Sequence, residues 1–284
     1  MSYFITGATG TLGQEVVKSL TSSGYNVIAG SRNPKFGSES NNHNLKKVHF
    51  NYEDESTFQN AKNVDGVFLM EPPALDPNQS DLAVPFFNFL QKNKVPRLIY
   101  LSSNGMENLD EVPFHKRMEQ RITKSNLNWH IVRPSFYAQS FNVYEKENIE
   151  QRNIIFLPAG KGKTAFVSTL DIGEAIAKIL TEDTFRTNEI STLTGEKNYD
   201  HFEVAEMLTE ILNRKIINVD PDAEDYRRIL QENNVPNIVA DYTIPLYGLI
   251  KENKVKQITD TLKNIIQRKP ESLKEVLKRD FLKD

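Results

Sequence analysis

The strongest constraint on what this chain can fold into lies in residues 2–13, Ser-Tyr-Phe-Ile-Thr-Gly-Ala-Thr-Gly-Thr-Leu-Gly. A short apolar run ends in Gly7, Gly10 and Gly13. Leu12, Val16, Val17 and Leu20 follow at the spacing of a helix with one buried face. Each glycine has a mechanical reason. Gly7 permits the tight turn off the strand, Gly10 lets backbone approach a pyrophosphate, and Gly13 lets helix and strand pack closely. The helix start then offers unpaired N–H groups and a partial positive charge to an anion. The spacing is G-x-x-G-x-x-G, and its position between an N-terminal strand and a helix makes it a dinucleotide-binding signal.

The next segment bears on which dinucleotide. The first helix stops near Gly24, and a second strand, Val27-Ile28-Ala29, leads into Gly30-Ser31-Arg32-Asn33-Pro34. A site for NAD usually carries an acid here to accept from the ribose 2′-hydroxyl. This chain carries Arg32, whose rigid fork of donors suits a 2′-phosphate, with Lys35 as a second positive charge. The expected cofactor is NADP, with NADPH preferred and NAD possible.

Strands and helices keep alternating through the first half. Val48–Phe50, Val67–Met70, Leu98–Leu101 and Trp129–Val132 read as further strands. Glu53-Asp54-Glu55 opens a helix, and others are expected over Leu82–Lys94 and about Pro113–Lys124. Continuous apolar strands alternating with helices imply a parallel sheet covered on both faces, so the expected fold class is α/β, a Rossmann-type doubly wound sheet. Ligands in such sheets lie at the carboxyl ends of the strands. That rule selects residues 7–13, 32, 51–52, 69–73, 102–106 and 135–139. The cofactor-binding candidates are Gly7, Thr9, Gly10, Thr11, Leu12, Gly13, Arg32, Asn51, Leu69, Met70, Ser102 and Phe136.

Beyond residue 135 the regularity breaks. An aromatic segment (Phe136, Tyr137, Phe141, Tyr144) and a loop, Pro158–Lys163, precede a helix capped by Asp171 and a late strand at Glu189–Leu193. Asp200 and Glu203 form a capping-box pattern, another helix begins near Asp222, and the charged last forty residues are helical, broken by Pro270. The expected organisation is an NAD(P)-binding domain over 1–135, also taking in about 164–194, with 136–163 and 195–284 as a smaller, mostly helical substrate lid.

Composition narrows the function classes. The net charge of −3 lacks the basic footprint of a dedicated nucleic-acid binder. The chain has no cysteine, which excludes disulfides, thiolate metal sites and thiol nucleophiles. His43, His49, His130 and His201 lack ligand spacing, so no metal is expected. No apolar run reaches the ~20 residues of a membrane span, and no basic leader precedes the first strand. A cytoplasmic protein without nucleic-acid or membrane partners is expected, and a homodimer stays open.

These residues carry a family resemblance. Gly7–Gly13, Arg32-Asn33-Pro34, His115-x-x-x-Glu119, Arg133–Tyr137, the run from Phe166 to Ala175, Thr194-Gly195 and Ile266–Pro270 resemble the NmrA-like atypical short-chain dehydrogenases, and most closely the type 2 NAD(P)H:quinone oxidoreductases. The resemblance spans essentially the whole chain. It implies an NADPH site and hydride delivery to a quinone-like, small-molecule electron acceptor. It also places His115 against the nicotinamide ribose or an acceptor oxygen. An imidazole of ordinary pKa, about 6.5, could donate a proton at cellular pH. The competing reading is a helix histidine satisfied by a neighbouring carbonyl. His115 and Tyr137 are the catalytic candidates, and Tyr137 likewise either walls the nicotinamide pocket or packs the lid.

The departures from ordinary short-chain dehydrogenases are as informative. Those enzymes use a tyrosine, a lysine four residues later and an upstream serine. Here the lysine position falls on His115 and the tyrosine position on Glu111, with Ser102 and Ser103 in the serine's place. Tyr247 and Lys251 have the right spacing but lie in the C-terminal helical region with no strand before them. Hydride transfer to an electrophilic acceptor tolerates the missing pair. A reductase of quinones, azo compounds or similar flat acceptors is therefore the leading reading. A non-catalytic NADP(H)-sensing regulator needs the same cofactor site. A nucleotide-sugar epimerase, which requires the acid–base pair, is the weakest alternative.

Overall fold

The computed structural model describes residues 1–33, 43–71, 81–106, 109, 113–185 and 188–282. Pro34, Lys35, Pro72, Pro73 and Glu111 lie outside the described residues. The strands are β1 (Ser2–Ile5), β2 (Asn26–Ser31), β3 (Leu45–His49), β4 (Gly66–Leu69), β5 (Leu98–Leu101), β6 (Trp129–Pro134), β7 (Ile154–Ile155), β8 (Glu189–Leu193) and β9 (Ile217–Asn218). Seven of them form one sheet in the order β3-β2-β1-β4-β5-β6-β8, every neighbouring pair parallel. This is the doubly wound Rossmann-type sheet expected from the sequence. β7 and β9 make a separate parallel pair.

The helices are α1 (Thr11–Ser22), α2 (Val84–Lys92), α3 (Pro113–Thr123), α4 (Ser140–Tyr144), α5 (Thr169–Thr181), α6 (His201–Leu212), α7 (Ala223–Glu232), α8 (Asn237–Lys251), α9 (Thr261–Ile266) and α10 (Leu273–Phe281). None of the described helices is long and apolar enough to cross a membrane.

Side chains alternate across the sheet as a pleated strand requires. Tyr3 and Ile5 of β1 join Val16, Leu20, Ile172 and Ile176 on the α1–α5 face. Phe4 points the other way, onto Phe50 and Phe86, in a cluster that also takes in Phe58 and Trp129. Fully buried rings such as Phe4, Phe68 and Phe86 each stabilise the fold by roughly 2–3 kcal/mol. A second apolar mass, centred on Phe141, Phe166, Val204, Leu208 and Leu277, is built from residues after 135. The final helices do not all belong to it. Leu262, Ile265 and Ile266 of α9, assigned to the lid from sequence, pack with the α1–α5 face.

Two local expectations are corrected. The acidic run Glu53-Asp54-Glu55 opens a 3-10 helix, Glu55–Ala61, with Asp54 accepting from Ser56 N. Asp171 does not cap α5, because Ser168 is the N-cap residue. Asp171 instead sits fully buried in the first turn, where it accepts from Arg268 Nη2 at 2.5 Å and Glu271 N at 2.7 Å. The expected capping box of Asp200 and Glu203 is present.

Candidate active site

The sheet order puts the ends of β1, β4, β5 and β6 side by side, with Ile5 opposite Phe68, Leu69 opposite Tyr100, and Leu101 opposite Val132. The residues that follow these strands therefore form one rim. Gly7 turns off β1 with φ +59°, a left-handed conformation that a side chain would strain. A Cβ on Gly13 would sit 2.1 Å from Gly7 O, so only glycine lets α1 come this close to the turn. Gly10 N donates to Gly7 O at 2.9 Å, and the first bond along the helix is Gln14 N to Gly10 O. The amides of Thr11, Leu12 and Gly13 thus have no partner within α1. Gly10 stands at the N-cap, and no side chain caps the helix.

A buried network fixes the rim beneath this turn. Thr6 Oγ1 accepts from Met70 N at 2.8 Å, while Tyr52 Oη donates to Met70 O at 2.7 Å. The Met70 side chain lies over Gly7, where a Cβ would meet its Cε at 2.1 Å. Thr9 and Thr11 are exposed on the turn. Leu12 and Leu69 differ from the expectation that they face a ligand. Both side chains pack in the core, leaving only backbone to contribute. Asn51 is half-buried, and its Oδ1 accepts from Glu53 N at 3.2 Å, fixing its own turn.

Arg32 ends the second strand's edge of this rim and is exposed. Its carbonyl accepts from His49 Nδ1 at 3.0 Å, and among the described residues no carboxylate pairs with its guanidinium. Ser102, after β5, is buried, and its Oγ finds no hydrogen-bond partner among the described residues. The same holds for Asn104 Nδ2. A glycine cradle that a Cβ would fill, an uncapped helix start and an orphaned hydroxyl on the same rim fit a dinucleotide. A surface cavity of about 450 Å³ between α1 and α5, bordered by Glu15, Lys18 and Glu174, contains none of these groups.

His115 stands in the first turn of α3 and is buried. Its Nδ1 is 2.8 Å from Tyr100 Oη, and Tyr100 Oη also lies 2.7 Å from Glu71 Oε2. Burial holds the imidazole down from its usual 6.5 to about 3. This corrects the expectation of an ordinary histidine, since the ring is neutral at cellular pH and any proton it gives must come from a neutral N–H. Burial pushes Glu71 the other way, up to about 7. Sequence reading passed over both partners. Tyr100 looked like one more apolar strand residue, although a tyrosine in so apolar a run needs a partner for its hydroxyl. Glu71 fell inside the selected range 69–73 without being singled out.

One turn after His115, Glu119 takes a two-pronged ion pair from Arg133, at 2.9 Å from Nε and 2.5 Å from Nη2, which pins α3 to β6. Aromatic rings complete the surroundings. Phe114 lies 4.2 Å from the His115 ring and 6.1 Å from Tyr242, and Phe136 stacks on Tyr247 at 6.2 Å. Tyr137, half-buried, packs against the sheet's core and bridges to Val167, and burial raises its hydroxyl well above the usual value. Tyr247 belongs to this aromatic set, and Lys251 is exposed.

Fold and glycine turn together define a dinucleotide-binding protein. A family model described as NAD(P)H-binding matches residues 7–183. The chain belongs to that NAD(P)H-binding family. It is 29% identical to Prestalk A differentiation protein A of Dictyostelium discoideum, over 99% of this chain and 93% of the relative. The structure of the NADPH-dependent quinone oxidoreductase QOR2 from Escherichia coli, complexed with NADPH, superimposes with a TM-score of 0.87. The two chains are 20% identical, with 98% of this chain and 99% of that one covered. The Citrobacter sp. triphenylmethane reductase complexed with NADP(H) gives 0.85 at 22% identity, covering 99% and 100%. The resemblance to type 2 quinone oxidoreductases read from the sequence is borne out.

Proposed function

We propose that the protein is an NADPH-dependent oxidoreductase that passes hydride to a quinone or a similarly flat, electrophilic acceptor. The observation that carries this reading is His115. A buried, neutral imidazole bonded to Tyr100 stands where the ordinary short-chain enzymes carry lysine, beside an aromatic wall and close to the glycine cradle's rim. The dinucleotide and acceptor named for the quinone oxidoreductase relative agree with it.

The Gly7–Gly13 turn and the open amides of α1 hold the pyrophosphate. Arg32 grips the 2′-phosphate, and Ser102 Oγ offers its unspent hydrogen bond on the nicotinamide side. When bound, the nicotinamide supplies the hydride. Phe136, Tyr137 and the Phe114–Tyr242 pair exclude water from a flat acceptor, and His115 orients its oxygen. Residues after 195 other than α9, with 136–163, act as the lid over that space.

The test is NADPH consumption with a panel of quinones and azo dyes beside a control without acceptor. Consumption above control for at least one acceptor is expected. Rates equal to the control across the panel, from protein shown to bind NADPH, would overturn the reductase in favour of a dinucleotide sensor.

A further inference from the structure

The hydrogen-bonded row Glu71–Tyr100–His115 has a property that its members lack singly. Tyr100 is wholly buried and has one hydroxyl proton, yet it touches two groups, at 2.7 Å and 2.8 Å. It can donate to only one of them. If it donates to an ionised Glu71, the His115 contact requires a proton on Nδ1, and Nε2 is bare. If Glu71 is protonated and donates to Tyr100, Tyr100 donates to Nδ1, and the ring's proton sits on Nε2. Each arrangement satisfies every hydrogen bond, and the two differ by one proton.

We propose that these three residues form a proton relay in which Glu71, acting through the Tyr100 hydroxyl, sets which nitrogen of His115 carries its proton. The relay delivers that proton from Nε2 to the acceptor oxygen. The delivery rests on the reductase reading above, whereas the coupling within the row does not. In the step, the Nε2–H bond breaks and an O–H bond forms on the reduced acceptor. The Tyr100 proton moves to Nδ1, and the Glu71 proton moves to Tyr100. Hydride supplies the two electrons, and the relay supplies the matching proton. His115 and Tyr100 stay neutral throughout, and Glu71 ends as carboxylate and regains a proton from water. Glu71 and Tyr100 are positioning residues here, and His115 is the group that meets the acceptor.

The surroundings favour such a relay. The imidazolium route is closed, because burial keeps His115 from accepting a second proton near neutral pH. Glu71 is held up to about 7 by burial, and the charge of Asp81 adds to the effect. The Tyr100 hydrogen bond, Arg117 and the Ala83 amide oppose it. Arg117 itself pairs with Asp81 at 3.4 Å. Glu119, the other acid facing Tyr100, is engaged by Arg133, and Tyr52 is bonded to Met70 O. Glu71 is therefore the member of this group poised to exchange a proton near neutrality.

The decisive readout is ¹⁵N NMR of histidine-labelled protein without acceptor, with the His115 signals identified by their loss in His115→Gln. On the acid side of about pH 7 the ring is expected as the Nε2–H tautomer. It should convert to Nδ1–H on the alkaline side without passing through imidazolium. Tyr100→Phe and Glu71→Gln should each abolish that pH dependence. With a working acceptor, both should also lower kcat by about 100-fold, leave NADPH affinity unchanged, and remove the fall in wild-type kcat above about pH 7. One tautomer at all pH values in wild type, or a wild-type titration in a folded Tyr100→Phe or Glu71→Gln protein, would overturn the relay alone. A tautomer switch in a protein that reduces no acceptor would establish the coupling and sink the reductase reading with its delivery step.

Discussion

Arg32 poses the clearest question at the scale of a single residue. Its guanidinium is exposed at the end of β2, with no carboxylate partner among the described residues. A charge-assisted pair with a 2′-phosphate contributes roughly 1.5–3 kcal/mol, or about 10- to 100-fold in affinity. Arg32→Ala is therefore expected to weaken NADPH binding by that factor while leaving NADH nearly unchanged. The difference should shrink as salt rises, because an exposed pair is screened. Calorimetric titration of both nucleotides into wild type and variant measures this. Equal losses for the two would show that Arg32 supports its loop and reads no phosphate.

At the scale of the element, α3 matters most, because it carries His115. Its orientation depends on the Glu119–Arg133 pair, whose side chains retain only 10% and 17% of their exposure. Removing one partner of a buried pair strands the other, at a cost of about 3–5 kcal/mol. Glu119→Ala should lower the urea midpoint accordingly, whereas a loss under about 1 kcal/mol would mean that the pair is effectively solvated. The same helix shows what sequence could reveal. His115, Glu119 and Arg133 stood out through the family resemblance, whereas the glycine turn, the parallel sheet and the Asp200 capping box were legible because periodicity and local chemistry encode them. The Glu71–Tyr100–His115 row was not, since it joins the ends of two strands to a helix and only sheet pairing brings those together. Asp171 misled for a related reason. An acid at a helix start reads as a cap, and nothing local announces that Arg268, ninety-seven residues later, will claim it.

At the scale of the whole molecule, the four buried groups that burial moves furthest within the range from pH 3 to 7 set opposing slopes of stability with pH. Glu71 and Glu145 rise by burial from 4.5 to about 7. Between those values the folded state holds protons that the unfolded state has lost, so stability falls as pH rises. Burial lowers His115 and His201 from 6.5 to about 3 and about 4. Below 6.5 the unfolded state holds the extra protons, so stability falls as pH drops. Each group contributes a slope of up to about 1.4 kcal/mol per pH unit. Two against two, they nearly cancel between about pH 4.5 and 6.5. Below that window Glu71 and Glu145 no longer offset the histidines, which themselves contribute a drop of up to roughly 3 kcal/mol per unit. Asp54, Glu203, Glu210 and Glu275, held down by their hydrogen bonds, add to the loss, and the buried Asp171, pushed up by burial, opposes it. Urea unfolding across pH should show this plateau and its acid edge. Glu145→Gln should tilt the plateau so that stability increases with pH, and an unchanged flat profile in that variant would refute the assignment.

The path of the chain between its two apolar masses carries a mechanical consequence. From the sheet's core at Val132 it passes to Ala138 in the second mass, then from Phe166 back to Val167 and from Leu193 out to Val204. It returns from Tyr247, packed against the second mass, to Leu262 and leaves once more from Ile266 to Leu273. A body stitched by five such crossings cannot swing open on one hinge, because every crossing would have to bend at once. Entry and release of an acceptor must then proceed by sliding of packed surfaces or by loops at the rim. The two masses should also melt together. Calorimetry should record one transition with matching calorimetric and van't Hoff enthalpies, and two resolved transitions would mean that the stitching leaves each mass free to unfold by itself.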